Sequence, residues 1–150
     1  MNKYSELINK QQNELDNFPI HFAFDEKQLN EGLKELGLNE NETDKIIGIG
    51  AGGFIRKSDL ETFTEMMQRH RKEFQNEIEN DTTGENFIKD MFLYELANHE
   101  FCITYELDDT LDAVGLTIED INNSKTLKHG LEIAKTEYLN KHCQEDEEEI

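Results

Sequence analysis

The stretch Lys45-Ile-Ile-Gly-Ile-Gly-Ala-Gly-Gly-Phe-Ile-Arg-Lys57 decides the fold class of this chain. Two short runs of isoleucine and phenylalanine flank a glycine-rich turn, and this arrangement predicts an antiparallel β-hairpin. Upstream, Pro19-Ile-His-Phe-Ala-Phe24 predicts another strand, because Pro19 blocks a helix and β-forming residues follow it. The two stretches together predict a small antiparallel sheet.

Helical spacing of apolar residues dominates the rest of the chain. Asp25 with Gln28 and Ser58 with Glu61 form capping-box patterns that mark two helix starts. The loosely alternating run Glu100–Glu106 is rich in β-forming residues and predicts a fourth strand. Helices are predicted over residues 4–16, 25–37, 58–79, 85–98, 108–114, 117–121 and 124–141.

These elements predict an α+β fold, with a small, mostly antiparallel sheet of three to four short strands packed against four or more helices. The length of 150 residues fits one domain. We predict a single α+β domain over residues 1–143, followed by an acidic frayed tail over 144–150.

The composition is strongly acidic, with 34 acidic and 15 basic side chains and a net charge of −19. A polyanion is repelled by nucleic acids and anionic membranes, so we expect no direct binding to either. Residues 73–124 hold 14 of the acidic side chains and a single lysine, Lys89. Most of the excess charge therefore lies in one third of the chain.

This acidic segment has two interpretations. Carboxylates favour helix starts and solubility, which makes an ordinary solvated surface one reading. The other is a face that docks on a basic surface, with an arrangement that copies nucleic-acid phosphates. The residues predicted to form that face are Glu106, Asp108, Asp109, Asp112, Glu119 and Asp120.

The glycine stretch also satisfies the pattern G-x-G-x-x-G, over Gly48–Gly53. A dinucleotide site needs a helix to open at the third glycine, whereas Phe54 and more β-forming residues follow here, so a hairpin is the better interpretation. An alternative function is a small ligand- or phosphate-binding module or enzyme at this turn. Its predicted residues are Gly50, Gly52, Gly53, Arg56 and Lys57.

Metal and nucleophile patterns are weak. Asp108-Asp109-x-x-Asp112 could hold a divalent ion, but helix-start acids explain it as well. His99-x-x-Cys102 is half a zinc pattern, and the adjacent pair His142-Cys143 completes it poorly. We therefore predict no metal, no cofactor and no catalytic residues.

The sequence also indicates where the protein works. The stretch Met1–Lys10 lacks an apolar signal core, and no run approaches the roughly 20 apolar residues of a membrane helix. Two cysteines, Cys102 and Cys143, do not make a disulfide framework. We expect a cytoplasmic protein with reduced thiols and no membrane partner.

Four stretches carry a resemblance: Phe18-Pro-Ile-His-Phe-Ala-Phe24, Gly48-Ile-Gly-Ala-Gly-Gly-Phe-Ile-Arg-Lys-Ser-Asp59, Asp90-Met-Phe-Leu-Tyr-Glu-Leu-Ala-Asn-His-Glu100 and Asp112-Ala-Val-Gly-Leu-Thr117. The chain resembles an uncharacterised family of small acidic proteins from phages and mobile elements of Firmicutes, over roughly residues 18–140 of a domain-sized chain. That resemblance supplies no catalytic residues. It implies an accessory factor acting on host machinery, such as an inhibitor of CRISPR or restriction defence.

From charge and resemblance together we predict a non-enzymatic protein-binding factor. Its partner would be a host protein that handles nucleic acid, bound through a basic surface. If the protein is phage-encoded, its location would be the host bacterial cytoplasm.

Overall fold

A computed structural model describes residues 2–101 and 105–143, except for the side chain of Cys143. Contacts divide the chain into two compact units. Ile8–Glu73 form one, which we name the sheet unit. Met1–Leu7 together with Phe74–Ile150 form the other, which we name the helical unit. Helices α1 (Lys3–Asp16) and α3 (Leu60–Asn80) contribute residues to both.

The sheet unit holds a three-stranded antiparallel sheet in the order β1-β3-β2. Its strands are β1 (His21–Phe22), β2 (Ile46–Gly50) and β3 (Gly53–Arg56). Across the sheet, His21 is paired with Phe54, and Phe54 with Gly48. The α+β class, the predicted hairpin and the predicted upstream strand are therefore confirmed.

The hairpin turn needs its glycines. Gly50 and Gly52 have φ values of 101° and 80°, in the left-handed region that side chains avoid. A Cβ on Gly52 would also lie 2.7 Å from Cε1 of Phe24. The next α-helix begins only at Leu60, after a 3₁₀ turn over Lys57–Asp59, so the glycine motif does not open a helix as a dinucleotide site requires.

Helix α2 (Glu26–Glu35) covers part of this sheet. Asp25 caps it, since its Oδ1 accepts a hydrogen bond of 2.8 Å from the backbone N–H of Gln28. Gly32 lets the helix approach β3 closely, because a Cβ there would lie 2.5 Å from Cζ of Phe54. Leu33 and Ile55 are fully buried and anchor the core of the unit.

The helical unit is built around α4 (Phe87–Asn98), which packs mainly against α7 (Lys125–Tyr138). Two short helices, α5 (Asp108–Val114) and α6 (Ile118–Asn122), lie between them in sequence. A π-helical turn, Leu139–Cys143, follows α7. Helix α4 forms the core of this unit, because five of its apolar side chains are buried: Phe87, Ile88, Met91, Phe92 and Leu96.

Tyr4, in the first turn of α1, completes this core. Its ring makes edge contacts with Phe74, Phe87 and Tyr94, and its hydroxyl donates a 2.5 Å hydrogen bond to Oε1 of the buried Glu95. Burial and then the hydrogen bond to Glu95 raise the pKa of the Tyr4 hydroxyl, so the tyrosine stays a donor.

Two predicted features differ from the structure or fall outside it. The strand over Glu100–Glu106 is not formed at its described residues: Phe101 is helical, and Glu100 and Tyr105 have positive φ values of 52° and 55°. The reason is that local β propensity is easily overridden by packing. Residues 102–104 and the predicted tail over 144–150 lie outside the described residues.

Candidate protein-binding face

Most acidic side chains of the segment 73–98 are engaged within their own unit. In the sheet unit, Glu73 accepts from Lys10 at 2.7 Å and pairs with Arg69 at 3.2 Å. In the helical unit, Glu85 lies 3.1 Å from His129. These carboxylates therefore take part in contacts within their own units.

Asp81 is the most completely bonded of these acids. It is 5% exposed, and its two oxygens accept from the backbone N–H groups of Thr83, Gly84, Asn86 and Ile88 at 2.8–3.3 Å. Burial alone would raise the pKa of its carboxyl, but these four donors outweigh burial and hold the pKa below its usual value. Asp81 thereby ties the loop before α4 to the start of that helix.

The six predicted contact residues are all exposed on or beside α5 and α6. The inward side of α5 is formed by Thr110, Leu111 and Val114, which are buried. The three aspartates Asp108, Asp109 and Asp112 lie on its other side, and they make no ion pair with any described residue. We name these three residues the α5 carboxylate face.

The second half of the predicted set has a partly structural role. Asp120 forms a capping box with Thr117: its Oδ2 accepts from the Thr117 N–H at 2.9 Å, and its own N–H donates to Thr117 Oγ1 at 3.1 Å. Glu119 lies in the same first turn, where the helix dipole favours a negative charge. A capping role therefore accounts for the acidic residue at position 120, but no such role accounts for Asp112.

Asp112 costs helix stability where it stands. It lies near the C-terminal end of α5, where a negative charge opposes the dipole. It also lies four residues after Asp108, and like charges at that spacing destabilise a helix by about 0.2–0.5 kcal/mol. The Asp112 carboxylate therefore does not stabilise α5.

Two large apolar side chains near these acidic residues in the sequence are exposed, and their exposure was not predicted. Tyr105 is 65% exposed and Ile118 is 56% exposed. Tyr105 also holds a φ of 55°, a conformation that is strained for a residue with a side chain. The exposure of Tyr105 was missed because the sequence placed this residue in a strand over Glu100–Glu106. The one feature of the sequence that pointed to it was its position three residues before Asp108.

The alternative ligand residues are not brought to one place. Gly50, Gly52 and Gly53 line an apolar groove of about 530 Å³ over the hairpin. Arg56 and Lys57 instead line a hollow of about 230 Å³ with other residues. Arg56 is also occupied, because its Nε donates to Asp59 at 2.8 Å. A phosphate site that combines the glycine turn with both cations is therefore not formed.

The basic residues late in α3 are partly neutralised within the sheet unit. Glu14 of α1 accepts from Arg69, and its Oε2 lies 2.8 Å from Nε2 of the buried His70. The hydrogen bonds from Arg69 and then His70 lower the pKa of Glu14 from 4.5 to about 2. This cluster joins α1 to α3 and is a structural contact, not an anion site.

We expect Glu14→Gln to lower the melting temperature at pH 7 and to have a smaller effect near pH 2. The folded pKa is depressed, so the stabilisation is present above about pH 4.5 and is lost as the pH falls through about 2. Thermal unfolding of both proteins across this range, with Glu65→Gln as an exposed acidic control, measures it. An equal effect of Glu14→Gln at both pH values would contradict the assignment.

Metal patterns are not assembled in the described part of the chain. No group of three or more His, Cys, Asp or Glu side chains there is placed to hold a metal ion. His99 lies 3.2 Å from Oε2 of Glu95, and the ring of His142 contacts Tyr138 at 4.7 Å. Cys102 lies outside the described residues.

These features define a small acidic α+β protein with an exposed carboxylate face and, three residues before it in the sequence, an exposed tyrosine. Residues 3–137 match the model of a family of unknown function (DUF7659), and the chain belongs to that family. No curated protein and no solved structure matches the chain. Among the described residues, every helix is too short or too polar to cross a bilayer.

Proposed function

We propose that this protein is a non-enzymatic binding factor whose α5 carboxylate face docks on a basic surface of a protein that handles nucleic acid. The observation that carries the proposal is the set Asp108, Asp109 and Asp112, exposed together and without an ion pair among the described residues. Complementary charge of this kind speeds association and makes it sensitive to salt.

The exposed ring of Tyr105 also supports a binding role. Tyrosine is enriched among residues that dominate interface energy, because a large ring carries a polar tip at small entropic cost. Here the ring is 65% exposed on a strained backbone, and it keeps an edge contact of 5.9 Å with Phe101. We propose that Tyr105 contributes most of the binding energy and that the three aspartates make charged contacts with the partner.

The resemblance described above suggests a biological role for this binding. The resemblance to phage and mobile-element proteins suggests a bacterial cytoplasmic location and an inhibitor of CRISPR or restriction defence. A nucleic-acid mimic would do this without an active site, by occupying a groove that normally holds phosphates. In this proposal the partner also contacts Glu106 and forms ion pairs with Glu119.

Replacing Asp108, Asp109 and Asp112 together by asparagine is expected to weaken partner binding about tenfold or more and to flatten its salt dependence. The measurement is affinity capture with the full chain as bait from nuclease-treated bacterial lysate, at low and high salt, quantified by mass spectrometry. Added DNA or RNA is expected to displace the captured protein.

The matched control is the triple variant Glu61→Gln, Glu65→Gln, Glu79→Gln. All three residues are exposed on α3, and the change in net charge is the same, from −19 to −16. The control is expected to retain the partner. If both triple variants lost the partner equally, binding would depend on the net charge of the protein and not on the α5 carboxylate face. If the aspartate triple variant still captured the partner, the α5 carboxylate face would not be the binding surface.

A further inference from the structure

The groove over the hairpin lies wholly in the sheet unit and has a glycine floor. Gly48, Gly50, Gly52 and Gly53 line it, and the floor is open at Gly48 and Gly50, where an added Cβ would meet no atom closer than 3.9 Å. Its walls are the apolar side chains Phe24, Leu29, Ile46 and Phe54. Phe24 is 77% exposed, the largest exposure among the large apolar residues described. A large exposed aromatic side chain beside an apolar groove is typical of a binding surface.

Strand β2, which contributes Ile46, Gly48 and Gly50 to the groove, is an edge strand of the sheet. In the order β1-β3-β2, strand β2 is bonded to β3 on one side, and no other described strand pairs with it. Its sequence, Ile46–Gly50, carries no charged residue. Such an edge presents unpaired backbone N–H and C=O groups and is a template for another extended chain. Natural edges are often protected by charges, proline or bulges; β2 has no charge or proline, and its register shifts between Gly48 and Gly50.

The rim of the groove is acidic. Asp25 and Glu26 line it, and the Asp25 carboxylate stays there because it caps α2. An exposed aromatic ring next to two carboxylates suits a cationic neighbour, through charge and the ring face together. The chain as a whole carries −19, which opposes pairing of this edge with a second copy.

We propose that the sheet unit binds an extended basic peptide segment of a partner protein by strand addition to β2. One apolar side chain of that segment fills the glycine-floored groove against Phe24, and a Lys or Arg two residues away lies over Asp25 and Glu26. Alternate side chains of a strand point to one face, so this spacing brings both to the same side. The site is independent of the α5 carboxylate face.

Gly48 gives a direct way to fill the groove. Its only neighbour for an added Cβ is the backbone oxygen of Gly53 at 3.9 Å, an ordinary contact, and its φ is not positive. Valine is favoured in strands, so Gly48→Val should leave the sheet intact while it occupies the floor. Gly50 is unsuitable for this purpose because its φ is 101°.

The probe is a displayed library of random seven-residue peptides, selected on the full chain. We expect enrichment of an alternating pattern in which an apolar residue and a Lys or Arg stand two positions apart. Selected peptides should bind Gly48→Val at least about tenfold more weakly, a loss of 1.4 kcal/mol. In spectra of the ¹⁵N-labelled protein, they should shift the amide signals of Ile46–Gly50.

Two exposed aromatic residues form a matched pair for control. Phe24 lines the groove, whereas Phe22, 58% exposed in the same stretch, does not. Phe24→Ala is expected to weaken the peptides about tenfold, and Phe22→Ala by less than about twofold, as hot-spot residues and their neighbours differ. The proposed α5 triple variant should bind the peptides normally.

Several outcomes would overturn the proposal. They are the absence of an enriched apolar and basic pattern, equal binding to Gly48→Val, or amide shifts confined to residues away from β2. A concentration-dependent dimer that Gly48→Val abolishes would assign the edge to a second copy instead. Sedimentation equilibrium of both proteins decides that point.

Discussion

Replacing Gly130 by alanine is expected to destabilise the protein by about 2–3 kcal/mol, although the same change usually stabilises the middle of a helix by about 1 kcal/mol. Gly130 is buried in α7. An added Cβ would lie 2.5 Å from Cγ2 of Ile88 and 2.6 Å from the backbone oxygen of Gly84. The methyl group would therefore have to separate α7 from α4 and from the loop before it.

The sign of the effect makes this a sharp test. Urea unfolding followed by far-UV circular dichroism measures it, since the protein has no tryptophan. Lys128→Ala, at an exposed position of the same helix, is the control and is expected to change stability by less than about 0.5 kcal/mol. A stabilised Gly130→Ala protein would show that the two helices do not approach as closely as described.

The largest loss from a single side chain is expected for Asp81→Ala, about 3–5 kcal/mol. The change removes both carboxylate oxygens and leaves four backbone N–H groups without their acceptor, those of Thr83, Gly84, Asn86 and Ile88. Gly84 lies where an added Cβ would clash with the backbone oxygen of Thr126, so the loop has little room to rearrange. Urea midpoints measure the loss.

Asparagine at the same position separates charge from shape. Asp81→Asn keeps one acceptor oxygen but turns an amide donor toward the remaining N–H groups, so we expect roughly half of the alanine effect. The depressed pKa of Asp81 also contributes stability above about pH 3.9, which is lost as the pH falls through the folded value. Asp81→Asn is expected to lack that dependence, and Glu79→Gln to retain it.

Local chemistry made much of the fold predictable. Asp25 and Thr117 cap helices where the pattern places them, and Gly115 ends α5 in the left-handed conformation. The glycine hairpin pairs as expected, because turn residues act on their immediate neighbours. These signals operate over three or four residues, which is the range that a single sequence reveals.

Long-range packing was not predictable. Tyr4 and Glu95 are 91 positions apart, and nothing in either segment indicates their hydrogen bond. Asp81 reads only as a helix breaker, although its loop anchors α4. The groove requires α2 to cover β3 and leave Gly48 open, an arrangement of three elements. At the candidate face, the charge pattern was enough to select the aspartates as candidates. The exposure of Tyr105 was not predicted, because the sequence placed this residue in a strand that is not formed.

The contact of Tyr4 with Glu95 sets an order of events during synthesis. The ribosome produces every residue of the sheet unit, Ile8–Glu73, before it produces the partners of the chain's first turn. Synthesis proceeds at about 5–20 residues per second, so the residues between Glu73 and Glu95 take roughly 1–4 seconds to be added. During that interval the Tyr4 hydroxyl has no Glu95 to bond, so this contact can form only after every residue of the sheet unit has been synthesised.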